Sequence, residues 1–416
     1  MRVHATFAIF VNRRIRFSAV HFIPLDARKA RIHASAPFTQ YTMQDAFCSN
    51  SRVKHTQKEM RSLNHSLKSV LSALILVLVF PCLAVAATGG APWKGELKWQ
   101  YDAGFGITGT PVVSDGKVFV GDGEGTLHVV NAATGQLVWK FKSGATINGA
   151  PAIMDGSVYI GGRDGTLLAL SAQNGAIRWE YRSGSGTTPG AIWASPVAAD
   201  GKVFFCSADG KVYALNARSG AVVWSFNTGR ELRSSPLYAD GMIYVGDYNG
   251  LFHAIDAKTG KKIWGGGSAG PINAQPTTAD GVVYFGSWDG TLQAVRIKGV
   301  IPLWKATVGE SVTTSATISG GRIYLGTVTG NLVSLSVGNG APMWSFNSPG
   351  GIHSTPLVAD GLVFFGSDQG ILFALNAATG KSQWSFATGR EILSAPALDN
   401  GTLFFGSMDG VLYAIH

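Results

Sequence analysis

"NAATGQLVW", residues 131–139, decides how this chain is read. It returns as "SAQNGAIRW" at 171–179, "NARSGAVVW" at 216–224, "DAKTGKKIW" at 256–264, "SVGNGAPMW" at 336–344 and "NAATGKSQW" at 376–384. A looser copy, "RIKGVIPLW" at 296–304, carries its Gly one place early. Upstream of each copy sits a Pro: Pro111, Pro151, Pro196, Pro236, Pro276 and Pro356, with Ala316 in the one exception. The spacing is 40 residues, except for 45 between Pro151 and Pro196. Self-similarity at such a period marks a repeat architecture, and it outranks any local reading of the motif.

Pro396 opens an eighth unit that reaches His416 without its Trp. The missing piece lies at the other end, where "GELKWQYDAG" matches "GKSQWSFATG" in spacing. The repeated set is therefore Trp99, Trp139, Trp179, Trp224, Trp264, Trp304, Trp344 and Trp384.

One unit, "SPLYADGMIYVGDYNGLFHAIDAKTGKKIW" at 235–264, reads as four strands. The Pro stands first in its strand, where no ladder donor is needed. Asp-Gly at Asp240 and Gly241 is a hairpin signal. "MIYVGD" and "LFHAIDA" are rich in β-branched and aromatic residues. Four short antiparallel strands about every 40 residues fit a propeller blade, and helical periodicity is absent. The fold class expected is all-β: an eight-bladed β-propeller over residues 95–416. Its last blade is closed by the N-terminal strand at 95–104, so no blade–blade surface stays open.

The Trp reads as structural. Gly125, Gly165, Gly210 and their counterparts mark the second turn of all eight units. Small residues such as Ala169 and Ala214 recur in the third strand, and Gly recurs in the second strand except at Cys206. The simplest packing puts each indole over these small residues and the Thr-Gly turn of an adjacent blade. A buried Trp removes about 150–250 Å² from water, worth about 4–6 kcal/mol as an upper bound. Truncating one, as in Trp264→Ala, should cost about 3–5 kcal/mol without selectively abolishing ligand binding.

The motif resembles the tryptophan-docking repeat of the pyrroloquinoline quinone (PQQ) dehydrogenase propellers. That family also holds non-catalytic members, including the BamB outer-membrane assembly scaffold. The resemblance covers residues 95–416 and implies the fold; enzymes and scaffolds share the motif. In the dehydrogenases, PQQ stacks over a Trp near the ring axis, beside a vicinal disulfide, Ca²⁺ and a catalytic Asp. This chain has no adjacent Cys pair, and seven of its eight units join without decoration. A non-catalytic chain without cofactor is the expectation, with PQQ and Ca²⁺ as the alternative.

Other chemistry finds no support. His128, His253, His353 and His416 lack zinc spacing. The Asp-Gly carboxylates recur as turns, and "GDGEGT" at 121–126 follows the blade pattern rather than a phosphate loop. Cys206 reads as a buried strand thiol.

Charge is uneven along the chain. Of 34 Lys/Arg and 25 Asp/Glu, residues 1–87 hold 12 and 3, which leaves 22 of each in the body. The net +9 thus belongs to the leader and argues for no nucleic-acid partner. "MRSLNHSLK" from Met60, the apolar "VLSALILVLVF" and "AVAA" make an export signal over residues 60–86. Its apolar run is short for a membrane span. Phe80 and Pro81 before Cys82 disfavour lipidation, and Cys82 leaves with the signal. Residues 1–59 read as a disordered over-extension upstream of a true start at Met60. The mature chain is expected in the periplasm or outside the cell, as a monomer without a membrane span.

The residues that the repeat does not explain gather, by strand parity, on the face holding the second–third turns and the inter-blade loops. They are Arg163, Trp193, Arg230, Glu231, Arg233, Trp288, His353, Arg390 and Glu391. Arg with aromatics is typical of interface anchors. The function expected is a protein-interaction or assembly platform for an envelope partner, BamB-like in its most concrete form. A soluble PQQ-dependent alcohol or sugar dehydrogenase and a periplasmic small-molecule sensor are the alternatives.

Overall fold

A computed structural model describes residues 4–11, 14–21, 93–185 and 188–416. The export signal read at 60–86 and Cys82 lie outside the described residues. The chain divides into two units, Met1–Gly89 and Gly90–His416. In the first, His4–Val11 pairs antiparallel with Arg14–His21. No element was anticipated there, although "RIRFS" alternates in the way a strand requires.

The second unit forms eight four-stranded antiparallel sheets, one per repeat. The fourth blade shows the plan: Leu237–Ala239, Met242–Gly246, Leu251–Asp256 and Lys262–Gly267, in chain order from inner to outer strand. In the eighth blade the outer strand is Leu97–Asp102, paired with Val411–Ile415. His416 N–H donates to the Glu96 carbonyl at 3.1 Å, and Glu96 N–H returns the bond at 3.1 Å. The two ends of the repeat therefore complete one blade, as the displaced Trp99 implied.

The Asp-Gly turns explain the regular hairpins. Asp115, Asp155, Asp200, Asp240, Asp280 and Asp360 all sit at φ 49°, each followed by a Gly at φ between 68° and 76°. Two successive left-handed residues make the turn type whose twist matches paired strands. Asp tolerates that region better than most residues because its short side chain bonds locally.

Six of the repeated tryptophans reach the next blade, all in one rotational sense. Trp99, Trp139, Trp179, Trp224, Trp304 and Trp344 donate Nε1–H to the carbonyl just past the third strand of the next blade, at 2.9–3.3 Å. Each of these indoles also covers the Gly of that blade's outer turn: a Cβ built at Gly135 would lie 2.7 Å from Trp99. Trp264 packs with Ile297 beside the altered turn of the fifth unit. There Val300 takes the Gly position at φ 52°. Trp384 stacks over Gly95 at the chain junction, and its buried N–H has no acceptor. Trp93, outside the repeated set, joins this junction through Phe364 at 5.1 Å and Asp360 at 3.1 Å.

Two details of the expected packing are corrected. The small third-strand residue pairs with the Trp of its own blade, as Ala214 does with Trp224, and the indole covers the outer turn of the neighbour. The second-strand glycines do not receive Trp at all. A Cβ at Gly246 would strike Ile272, and one at Gly121 would strike Ile147. Those positions are bare because a β-branched residue of the following inter-blade loop presses onto the strand.

Candidate functional site

That buried loop residue organises the functional face. It anchors each inter-blade loop, so the next residue emerges at a fixed place beside a second–third turn. Backbone bonds then tie loop to turn: Tyr248 N–H to the Glu231 carbonyl at 3.1 Å, Trp288 N–H to Pro271 at 3.0 Å, Asp368 N–H to Gly351 at 2.9 Å and Met408 N–H to Glu391 at 2.8 Å. The residues singled out by sequence thus sit on a rigid rim.

The structure divides them into two sectors. In the first, the Arg163 guanidinium lies 4.1 Å from the Trp193 ring centroid. Arg233 lies 5.3 Å from the same ring and 5.0 Å from Tyr248. Tyr248 meets Trp288 edge-on, with centroids 5.8 Å apart. Glu231 accepts from Arg233 Nε at 2.9 Å. Alternating guanidinium and ring therefore run from the second blade to the fifth. Each such contact is worth about 0.5–1 kcal/mol when exposed and more when a partner removes water. Trp288 is 39% exposed, and the Trp193 indole N–H is buried without an acceptor.

In the second sector His353 Nε2 stands 3.5 Å from Asp368 Oδ2, and Arg390 Nε stands 3.3 Å from Glu391 Oε2. Burial holds the Asp368 carboxyl above the usual range; His353 opposes the shift and Glu391 adds to it. Arg230 joins neither sector through its side chain. Its carbonyl accepts from Thr228 Oγ1 at 2.9 Å, which pins the exposed loop.

Tyr248 and Asp368 were missed in the sequence. Their signal was available, since both occupy the turn position that Arg163 and Trp288 occupy in their own units. Two other polar pairs, His128 with Asp122 at 2.9 Å and His253 with Asp247 at 3.1 Å, are buried inside blades. Cys206 is fully buried, and burial pushes its thiol well above the ordinary range. A thiol held protonated is a poor nucleophile.

A sequence profile described as "Outer membrane protein assembly factor BamB" matches residues 83–231, 208–345 and 301–416. The chain belongs to this family of PQQ-like propellers. Among solved structures, BamB from Moraxella catarrhalis superposes with a TM-score of 0.67 at 22% identity, over 77% of this chain and 96% of that one. Quinohemoprotein alcohol dehydrogenase from Comamonas testosteroni gives 0.66 at 16% identity, over 77% and 76%. A computationally designed protein, Ika8, gives 0.68 at 19% identity, over 77% and 100%. These likenesses concern the fold, which an enzyme, a BamB and a design share. A search of curated proteins found no match.

The family raises the question of PQQ, and its quinoprotein neighbours make that cofactor possible here. Trp193, the aromatic at the mouth, already has Arg163 against its ring at 4.1 Å. Among the described residues no three His, Cys, Asp or Glu side chains converge as a metal donor set.

Proposed function

We propose that this chain is an exported, non-catalytic propeller that serves as an assembly platform for an envelope protein partner. Participation in outer-membrane protein assembly is the most concrete form of that role. The observation that carries the reading is the ribbon Arg163–Trp193–Arg233–Tyr248–Trp288, which links four consecutive blades. Rings and guanidiniums on a rigid rim give large contact area at little entropic cost on binding. Among the described residues, no helix is long and apolar enough to cross a membrane.

The test is affinity capture from an envelope extract with the full chain and with an Arg163→Ala/Arg233→Ala/Trp288→Ala variant. Wild-type protein should retain a stoichiometric partner that the variant loses while remaining folded. Purified protein mixed with PQQ and Ca²⁺ should show neither stoichiometric quinone binding nor dye reduction with an alcohol panel. Turnover in that assay would replace the platform by a dehydrogenase.

A further inference from the structure

The eight blade–blade interfaces can be compared with one another, because the repeat places the same two positions across each. One is the outer-strand residue two past the docking Trp; the other lies on the third strand of the next blade. Six interfaces put an aromatic ring at the first position. Tyr181 meets Tyr213 at 5.7 Å, Phe346 meets Phe373 at 5.4 Å and Phe386 meets Tyr413 at 5.6 Å. Between the fourth and fifth blades the two positions are Gly266 and Gln293, and the Gln293 amide donates to the Gly267 carbonyl at 3.1 Å. Only between the fifth and sixth blades are both positions small and aliphatic: Ala306 and Val333.

A groove of about 320 Å³ lies there, lined by Val308, Val333, Leu335, Pro342, Met343 and Trp344 together with the polar Thr307 and Ser345. An apolar cavity of about 150 Å³ accommodates a benzene ring, so this one has room for a substituted ring. The groove opens beside Pro342–Asn347, the outermost strand of its sheet. The outward backbone groups of an edge strand are free to pair with an added segment, whose alternate side chains then point into adjoining pockets.

We propose that the groove between the fifth and sixth blades receives the aromatic side chain of an extended protein segment laid along Pro342–Asn347. The ring supplies from outside what six of the other interfaces carry within the chain. The inference rests on the platform reading in taking a protein as the occupant, and it uses a different surface from the mouth. The mouth variants leave this groove intact, so a partner lost at the mouth and a ring refused by the groove are separate results.

The experiment titrates the full chain with two capped pentapeptides, Thr-Thr-Phe-Thr-Thr and its Ala analogue, and with toluene. The methyl resonances of Val308, Val333, Leu335 and Met343 report occupancy. The Phe peptide should shift them saturably and bind at least about tenfold more tightly than the Ala analogue. Ala306→Phe, which restores the internal ring, should weaken peptide binding at least about tenfold while keeping or raising the unfolding midpoint. Val333→Phe does the same from the other side if the first variant fails to fold. Equal binding of the two peptides, no shift up to the solubility limit, or full binding by a folded Ala306→Phe or Val333→Phe overturns the proposal. Binding of toluene without the Phe peptide also overturns it, in favour of a small-molecule cavity.

Discussion

Cys206 and Leu232 replace, together, a Gly and a β-branched residue. In the other seven units the second strand carries Gly, and an added Cβ would lie within 2.5 Å of the side chain of Ile107, Ile147, Ile192, Ile272, Val312, Ile352 or Ile392. At the remaining site the strand residue has a Cβ and a thiol, and the loop residue branches one carbon later; both are fully buried in one cluster. Moving the branch from Cβ to Cγ clears the space that Cys206 occupies.

The pair should therefore be coupled. Leu232→Ile alone overpacks against Cys206 and should cost about 1–3 kcal/mol. In a Cys206→Gly background the same change should cost markedly less, because it restores the arrangement of the other seven units. A double-mutant cycle from urea unfolding measures the difference. Equal costs in both backgrounds would show that the covariation is incidental.

A second pair of equivalent sites differs by one hydroxyl. His128 Nε2 lies 2.9 Å from Asp122, and its Nδ1 lies 3.0 Å from the Tyr101 hydroxyl. With Nε2–H donating to Asp122, Nδ1 accepts from the hydroxyl. Three blades on, His253 faces Phe226 at the same 61° interplanar angle, and its buried Nδ1 has no partner. Phe226→Tyr should stabilise the protein by about 0.5–1.5 kcal/mol. Tyr101→Phe should destabilise it by about 1–3 kcal/mol, since a buried acceptor is left unmet. Chemical denaturation of both variants against wild type checks the opposite signs.

The same histidine gives stability a pH dependence. Burial is the largest influence on His253 and holds its pKa below the usual value, against the pull of Asp247. The folded state keeps the ring neutral while the unfolded chain takes a proton near pH 6.5 or about there. This group's contribution is thus fully present above the unfolded pKa and is lost as pH falls toward the folded one. Phe226→Tyr adds a bond to the neutral form and should steepen that loss. Unfolding free energies between neutral pH and about pH 5, compared for wild type and Phe226→Tyr, report the slope. An identical slope in the two proteins would detach it from His253.

Val300 is a β-branched residue at φ 52°, where the equivalent Gly135, Gly175, Gly220, Gly260, Gly340 and Gly380 sit at 68–74°. Left-handed backbone costs a residue with a Cβ about 1–2 kcal/mol. Val300→Gly should raise stability by roughly 1 kcal/mol, visible as a higher thermal midpoint. It should also let Trp264 settle on the turn as Trp224 does on Gly260, which lowers quenching by acrylamide. A lower midpoint would show that the apolar contacts of Val300 outweigh its strain.

What was legible in the sequence was whatever the repeat enforces locally. Asp-Gly pairs dictate their own turn, alternation dictates strands, and the displaced Trp99 dictates closure. The mouth was half legible. Trp193 and Trp288 stand out because they lie outside the docking set, whereas Tyr248 and Asp368 look like ordinary turn residues until their neighbours are known. Arg230 stands out equally in sequence yet joins nothing through its side chain.

The sequence by itself determined the architecture, because eight copies of one unit leave a single way to bury eight indoles. Tertiary structure alone decided which blade each Trp covers, that loop isoleucines and not indoles empty the second strands, and that Arg163, Trp193, Arg233, Tyr248 and Trp288 form one ribbon. Those outcomes depend on the rotation between successive blades. A 40-residue period records that a neighbour exists; only packing fixes which of its side chains comes within reach.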